Sequence, residues 1–311
     1  MALLSGTRKA DLYRVLAPFL LFLLSPILLL IESFLNLRHR IPAFSAKDKV
    51  ILITGASAGI GQNLALQYAR RGAKLVLLAR RRAELDRVAD ACKGYGAALV
   101  VVEPVDVTDE GALQDAIRRN GDRFGCIDMI ILNAGISMGD VAASFPDTTA
   151  FRQIMAVNYT AFVAGALYAL PYLKKASRGK LVGISSALGL AGLPTRSGYS
   201  ASKFAIKGFL DAFRIEEPGL DMSMIYPGPV KTEINKSRIG NMGHLDMNAK
   251  GLMTAEEAAE LIVHAVELGL RDEVFELQGN ALWFLKDVFP RVRDMIGAAQ
   301  FTKILEEDKK E

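Results

Sequence analysis

Tyr199 and Lys203 stand four residues apart in the stretch Gly198-Tyr199-Ser200-Ala201-Ser202-Lys203. On a helix, positions i and i+4 share a face, so the phenol and the ammonium point the same way. A free tyrosine ionises near pH ~10 and is a poor proton donor or acceptor at neutrality. An ammonium beside it favours the phenolate and draws its pKa toward the working range of an acid–base group. Ser186 lies thirteen residues earlier, just past the apolar run 181–184, where a strand should stop. A hydroxyl there could hydrogen-bond the same substrate oxygen that Tyr199 protonates. Taken alone, the Tyr-x-x-x-Lys spacing is equally that of an exposed helix face. The residues upstream decide between the two.

A second cluster lies at Thr54-Gly55-Ala56-Ser57-Ala58-Gly59-Ile60-Gly61. The β-branched run 49–53 feeds into it, residues 63–71 read as a helix, and 75–78 as a second strand. Strand, glycine turn, helix and strand make a βαβ unit. Glycines let the backbone approach a pyrophosphate, and the helix N-terminus favours its charge. The spacing is Gly-x-x-x-Gly-x-Gly rather than Gly-x-Gly-x-x-Gly, and a purely structural turn is the plain alternative. Gly55, Ser57, Gly59, Ile60 and Gly61 are candidate dinucleotide contacts. After the second strand come Ala79 and Arg80-Arg81-Arg82, with no carboxylate until Glu84. An acidic residue at that place takes the ribose 2′-hydroxyl of NAD, whereas arginine accommodates a 2′-phosphate. NADP(H) is the expected cofactor, with NADPH preferred.

These residues need elements to position them, and the chain supplies an alternation. Helices are expected over 83–93, from a cap at Asp109 to 123, over 148–174, from Tyr199 to about 215, and from Thr254 onward. Strands are expected over 97–102, 127–132, 181–184, 222–226 and 273–276. Asp106-Val107 follows the third strand and is a candidate for the adenine edge. Asn133-Ala134-Gly135 ends the fourth, and Pro227-Gly228-Pro229-Val230-Lys231-Thr232 follows the sixth. The pattern predicts one α/β domain: a Rossmann-type, doubly wound, mostly parallel sheet of about seven strands with helices on both faces. Every candidate residue then falls at the carboxyl end of a strand or the start of the next helix, where open α/β sheets bind ligands.

Composition bounds the rest. The chain has 311 residues, 51% of them hydrophobic, and a net charge of +4. No nucleic-acid module is evident; membrane headgroups or a phosphorylated cofactor suit the mild positive balance better. Cys92 and Cys126 have neither metal spacing nor a disulfide framework and are expected to be free thiols. His39, His244 and His264 are too scattered for a metal site, so none is expected. Val15 to Ile31 carries no charged residue, 17 in all, and basic residues flank it on both sides. A membrane anchor, a cleaved signal peptide and a buried helix are open readings for this segment, the anchor being carried forward. The expected organisation is an anchor at 1–45, a reductase domain at 46–278 and an amphipathic tail at 279–311, broken at Pro290. Residues 234–253, with Met242 and Met247, read as a lid over an apolar pocket.

Together the motifs resemble the short-chain dehydrogenase/reductase family. The matches are Thr54-Gly55 through Gly61, Asn133-Ala134-Gly135, Asn158, Ser186, the Tyr199/Lys203 pair, and Pro227-Gly228 with Thr232, in the family's order over about 48–276. The stretch 199–205 and the apolar N-terminus look most like the membrane-bound branch, with 11β-hydroxysteroid dehydrogenase type 1-like and dehydrogenase/reductase member 7-like enzymes. The resemblance implies that Tyr199 is the general acid for ketone reduction or the base for alcohol oxidation. It implies that Lys203 lowers the tyrosine pKa and binds the nicotinamide ribose, that Ser186 orients the carbonyl, and that Asn158 holds a relay water. Asn133, Ala134 and Gly135 would lie beside the cofactor, and Pro227, Val230 and Thr232 by its carboxamide end. Ser57 and Arg80 would hold the 2′-phosphate. Ser185 is more simply structural. A lipophilic substrate (steroid, retinoid, sphingoid or acyl lipid), a homodimer, and residence at the endoplasmic reticulum membrane or lipid droplet complete the expectation. An NAD-linked alcohol dehydrogenase and a tethered NADPH-binding scaffold are the rival readings. The connection 216–220 is shorter than the family's usual one.

Overall fold

The computed structural model describes residues 24–28, 30–31, 33–34, 44–242, 252–275 and 289–308. The chain divides into two compact units, Met1–Ala43 and Phe44–Glu311. In the first, the described residues are helical, and Leu24, Ile27, Leu28, Leu30, Ile31 and Phe34 are all at least half exposed. Most of the expected anchor, including residues 15–23, lies outside the described residues.

The second unit is built on a sheet of seven parallel strands in the order β3-β2-β1-β4-β5-β6-β9. The strands are β1 (Val50–Thr54), β2 (Lys74–Ala79), β3 (Leu99–Pro104), β4 (Met129–Leu132), β5 (Lys180–Ile184), β6 (Asp221–Tyr226) and β9 (Asp272–Val274). The short strands β7 (Val230–Lys231) and β8 (Met253–Thr254) pair separately. Between them run α1 (Gly59–Arg70), α2 (Arg82–Gly94), α3 (Glu110–Phe124), α4 (Thr149–Leu173), α5 (Ser197–Glu216) and α6 (Ala255–Glu267). A last helix, α7 (Pro290–Asp308), belongs to the same unit. Pro290 is the first residue of that helix, where its missing N–H is one the first turn leaves unpaired anyway; residues 279–288 of the expected tail lie outside the described residues.

Parallel strands buried on both faces explain the near-continuous apolar runs. Successive side chains along β1 go to opposite sides. Ile51 and Ile53 join the core under α1, α2 and α6, while Val50 and Leu52 join the core under α3, α4 and α5. Local signals set the helix ends. Asp109 caps α3 by accepting from Ala112 N at 3.0 Å. Thr254 and Glu257 form a capping box at the start of α6. The short connection after α5 is accommodated by one turn, and β6 begins at Asp221, in register with Lys180 of β5.

α4 is long and apolar enough to cross a membrane by length and composition. It is a core helix, with Phe162, Ala166, Ala169 and Leu173 buried against the sheet. The expected uninterrupted α-helix is corrected here: residues Ala156–Thr160 form a π-helical turn, and Asn158 sits in it. Such turns are rare and recur at functional sites.

Candidate active site

The sheet order reverses between β1 and β4, and a cavity of about 400 Å³ opens at their carboxyl ends. The glycine turn forms its floor. Gly55 and Gly59 adopt φ of 68° and 57°, the left-handed region that favours glycine. A Cβ on Gly61 would lie 2.3 Å from the Gly55 carbonyl oxygen, so only glycine lets α1 seat this close to the turn. Ala58 at the α1 N-cap provides no side-chain acceptor, and the first turn carries no acidic residue. Its amides are left for an anion.

Thr54 and Asn133 fasten this turn to β4. The Thr54 hydroxyl accepts from Asn133 N at 3.0 Å and Ala134 N at 3.1 Å. The Asn133 amide donates to the Thr54 and Gly55 carbonyls at 3.0 and 3.3 Å. Asn133 therefore holds the cradle together with the same side chain that lies on the cavity wall.

Of the residues expected at a cofactor, the wall includes Gly55, Ser57, Gly59, Ile60, Arg80, Asp106, Val107, Asn133, Ala134, Gly135 and Thr232. Gly61 lies beneath the turn, and Pro227, Val230, Tyr199 and Lys203 lie outside this wall. Pro227 instead accepts from Ala187 N at 2.9 Å, and Val230 pairs with Met253. The two arginines on this wall take different partners. Arg81, not Arg80, reaches Ser57, donating to its hydroxyl at 3.2 Å. Arg80 pairs with Asp106 at 3.7 Å, and Arg81 with Glu233 at 3.6 Å across the cavity mouth. Three consecutive arginines give no sequence sign of which turns back toward the glycine loop. Residue 81 does so because it is the extended N-cap of α2. Glu233 was missed as a wall residue, since it belongs to a short 3-10 turn that only the fold carries over the cavity; Lys236 and Ser237 of the same turn fall in the expected lid, whose residues 243–251 lie outside the described ones.

The surroundings of Tyr199 and Lys203 are built differently. Tyr199 and Lys203 occupy the first two turns of α5, 9% and 4% exposed. The Ser186 hydroxyl is hydrogen-bonded to the Tyr199 phenol. Tyr199 packs with Ile136, Met138 and Ile154 in an apolar cluster flanked by Phe145, Phe151 and Leu188. Burial raises the Tyr199 pKa above its ordinary value, while the Ser186 hydrogen bond and the Arg196 charge pull it down. Lys203 Nζ lies 5.7 Å from the phenol ring centroid and donates to the Ile184 carbonyl at 3.0 Å. Burial lowers its own pKa to about 8. Burial is the largest influence on the phenol, and its net effect is a pKa above the ordinary value.

Asn158 is fully used. Its Oδ1 accepts from Ile136 N at 2.8 Å, and its Nδ2 donates to the Ile136 carbonyl at 3.0 Å and the Ser202 hydroxyl at 2.9 Å. Both amide hydrogens are committed, so the side chain ties the segment after Gly135 to α5. Ser185 is buried, its N–H on the Ile225 carbonyl at 2.7 Å. Cys92 and Cys126 are unpaired, and burial pushes the Cys92 thiol up to about 12.

The cradle, with its two positive-φ glycines and no room for a Cβ at Gly61, fits a dinucleotide. The chain matches the family model described as short chain dehydrogenase over residues 49–242. It is 34% identical over 263 residues to 11-beta-hydroxysteroid dehydrogenase A of Sesamum indicum, covering 81% of this chain and 75% of that one. It is also 34% identical over 249 residues to Dehydrogenase/reductase SDR family member 7 of Homo sapiens, covering 75% and 71%. An alcohol dehydrogenase from the archaeon Thermococcus sibiricus complexed with 5-hydroxy-NADP aligns with a TM-score of 0.66 at 26% identity, covering 74% of this chain and 96% of that one. A short chain dehydrogenase/reductase from Burkholderia phymatum in complex with NAD shares the fold, with a TM-score of 0.72 at 22% identity over 80% and 96%. The chain belongs to the short-chain dehydrogenase/reductase family and is an oxidoreductase acting on alcohol and ketone groups.

Proposed function

We propose that this chain is an NADPH-preferring reductase of a lipophilic ketone or aldehyde, with Tyr199 as the proton donor. The observation that carries the reading is the end of β2. Where an acidic side chain would take a ribose 2′-hydroxyl, Arg80 and Arg81 stand on the cavity wall with Ser57, and no carboxylate follows the strand until Glu84. The nicotinamide cofactor supplies the hydride when bound. The amides of the glycine turn receive its pyrophosphate, Ser57 with Arg81 and Arg80 its 2′-phosphate, and Asp106 with Val107 its adenine edge. Ser186 holds the substrate oxygen beside Tyr199. Reduction needs a protonated phenol, and burial keeps Tyr199 protonated at neutral pH. Lys203, held on the Ile184 carbonyl, carries the positive charge that offsets the phenolate left after the proton has moved.

The apolar surroundings of Tyr199 favour a lipophilic substrate, and a steroid, as in the name of the sesame relative, is one member of that class. Attachment to the endoplasmic reticulum membrane or a lipid droplet through the N-terminal segment is part of the same reading, supported by the exposed leucines and isoleucines of residues 24–31. So is a homodimer. Titration of the full chain in detergent with NADPH and NADH, followed by a panel of lipid ketones, is the test. NADPH binding at least ~10-fold tighter than NADH is the expected outcome for a guanidinium–phosphate contact. Equal binding would remove the cofactor assignment, and NADPH binding with no oxidation on any ketone would favour a scaffold over a reductase.

A further inference from the structure

The cations on the wall of the cofactor cavity are each paired with a carboxylate of the chain. Arg80 faces Asp106 at 3.7 Å, Arg81 faces Glu233 at 3.6 Å, and Lys236 Nζ donates to Glu233 at 2.5 Å. The first pair is a neighbourly one, just past the ends of the paired strands β2 and β3. The Arg81–Glu233 pair instead joins the N-cap of α2 to the 3-10 turn Glu233–Ser237, far along the chain.

The start of that turn lies directly over the glycine cradle. A Cβ on Gly59 would stand 3.2 Å from the Thr232 side chain, and Thr232, Glu233 and Ile234 all lie on the cavity wall. Arg81 therefore spans the site. Its Nη2 donates to the Ser57 hydroxyl of the cradle at 3.2 Å, and its Nη1 faces Glu233 of the roof. A guanidinium takes a phosphate best through two parallel N–H groups, and both Nη atoms are engaged here. A phosphate arriving at Nη1 meets the Glu233 carboxylate as a like charge.

The contact to be displaced is weak. At 3.6 Å it is longer than a hydrogen bond, and both side chains are about half exposed, so solvent and salt screen it. Displacement does not orphan the carboxylate either. Arg81 faces Oε2, while Lys236 holds Oε1 and keeps Glu233 paired after Arg81 has left.

The geometry points to Glu233 as a cofactor-specificity residue: its carboxylate competes with a ribose 2′-phosphate for Arg81, so that a 2′-phosphorylated dinucleotide opens the Arg81–Glu233 bridge and an unphosphorylated one leaves it closed. The inference rests on the reading of Ser57 and Arg81 as the 2′-phosphate contact. The competition lowers affinity for one cofactor only, because NADH brings a 2′-hydroxyl and nothing to exchange for the carboxylate. Glu233 thus narrows the preference that the arginines create, and it ties release of the roof turn to the 2′-phosphate.

The test titrates Glu233→Gln, as the full chain in detergent, with NADPH and NADH. Two fragments that lack the nicotinamide, 2′,5′-ADP and 5′-AMP, are titrated alongside. NADPH and 2′,5′-ADP should each bind about 3-fold tighter than they do to the parent, with NADH and 5′-AMP unchanged. In an Arg81→Ala background the same substitution should alter NADPH binding by less than about 1.5-fold, because the contested group is gone. Equal gains for NADPH and NADH would mean only a less negative cavity, and a gain that survives Arg81→Ala would place the repulsion elsewhere. Either result overturns the proposal, as does a variant that binds NADPH no better than the parent. Both side chains are half exposed, so the substitutions leave the fold in place. The parent's own NADPH-to-NADH ratio reports the cofactor reading, and the change on removing Glu233 reports the bridge, so the two fail separately.

Discussion

The two ends of the site use opposite physical means. At the dinucleotide end, the groups that meet solvent are backbone amides and half-exposed charges. Arg81 and Glu233 are 50% and 48% exposed, and their ion pair is of the kind that contributes about 0–1 kcal/mol. Shape does most of the work there, through glycines that leave room for a ligand. At the proton-transfer end the titratable groups are closed off, while Ser186 stays partly exposed. Tyr199, Lys203 and Arg196 are all buried, and desolvation shifts all three. A binding surface has to be complementary before its ligand arrives. A proton-transfer group has to be held away from its solution pKa, and burial is the means.

Breaking each end should therefore have a different signature. The largest effect belongs to Tyr199→Phe, which removes the proton donor without disturbing the cradle. Turnover should fall by about 10²–10⁴-fold while the NADPH Kd stays within about twofold, measured by steady-state kinetics and fluorescence titration. Gly61→Ala attacks the other end through packing. The new methyl collides with the Gly55 carbonyl, and since that is backbone it cannot rotate away. A loss of about 1–3 kcal/mol in stability, together with weaker NADPH and NADH binding alike, is the expected result by denaturant melts and titration.

Arg81→Ala against Arg80→Ala sharpens the comparison within the open end. Arg81 touches Ser57 and Arg80 does not, so the first change should weaken NADPH by about 10-fold with NADH unaffected, and the second by less. Equal losses would return the phosphate contact to both. The smallest effect is a stability difference at the buried end. Lys203 has a folded-state pKa of about 8, below its unfolded value near ~10.4, so the unfolded chain binds the proton more tightly. Its burial therefore disfavours folding fully below pH 8, and that penalty fades as pH rises toward 10. Lys203→Met should be about 1–3 kcal/mol more stable than the parent at pH 7, with the gap narrowing toward pH 10 in cofactor-free melts. A constant gap would mean that the ammonium has a partner that burial alone does not describe.

Much of this site was legible in the chain, for particular reasons. Gly55, Gly59 and Gly61 stand out because their roles depend on lacking a side chain. Tyr199 and Lys203 stand out because helical periodicity is a local property. Asp109 and Thr254 could be read as caps for the same reason. What the chain does not show is contacts between distant segments. The Asn158 amide closes on Ile136, twenty-two residues away. Which of the consecutive arginines turns back to Ser57 is a direction in space. Arg196 was passed over altogether, since nothing in Thr195-Arg196-Ser197 indicates that the arginine turns inward.

The alternation of apolar runs, the glycine turn and the Tyr-x-x-x-Lys spacing determined the parallel sheet, the place of the cofactor cradle and the family, because each depends on residues close together along the chain. Tertiary structure alone decided which arginine faces Ser57, what the Asn158 amide holds, and that Tyr199 and Lys203 are buried together, so that desolvation raises the one pKa and lowers the other. Those outcomes depend on burial and on distances between β1, β4, α4 and α5, and both arise only when the sheet has brought these elements to one edge.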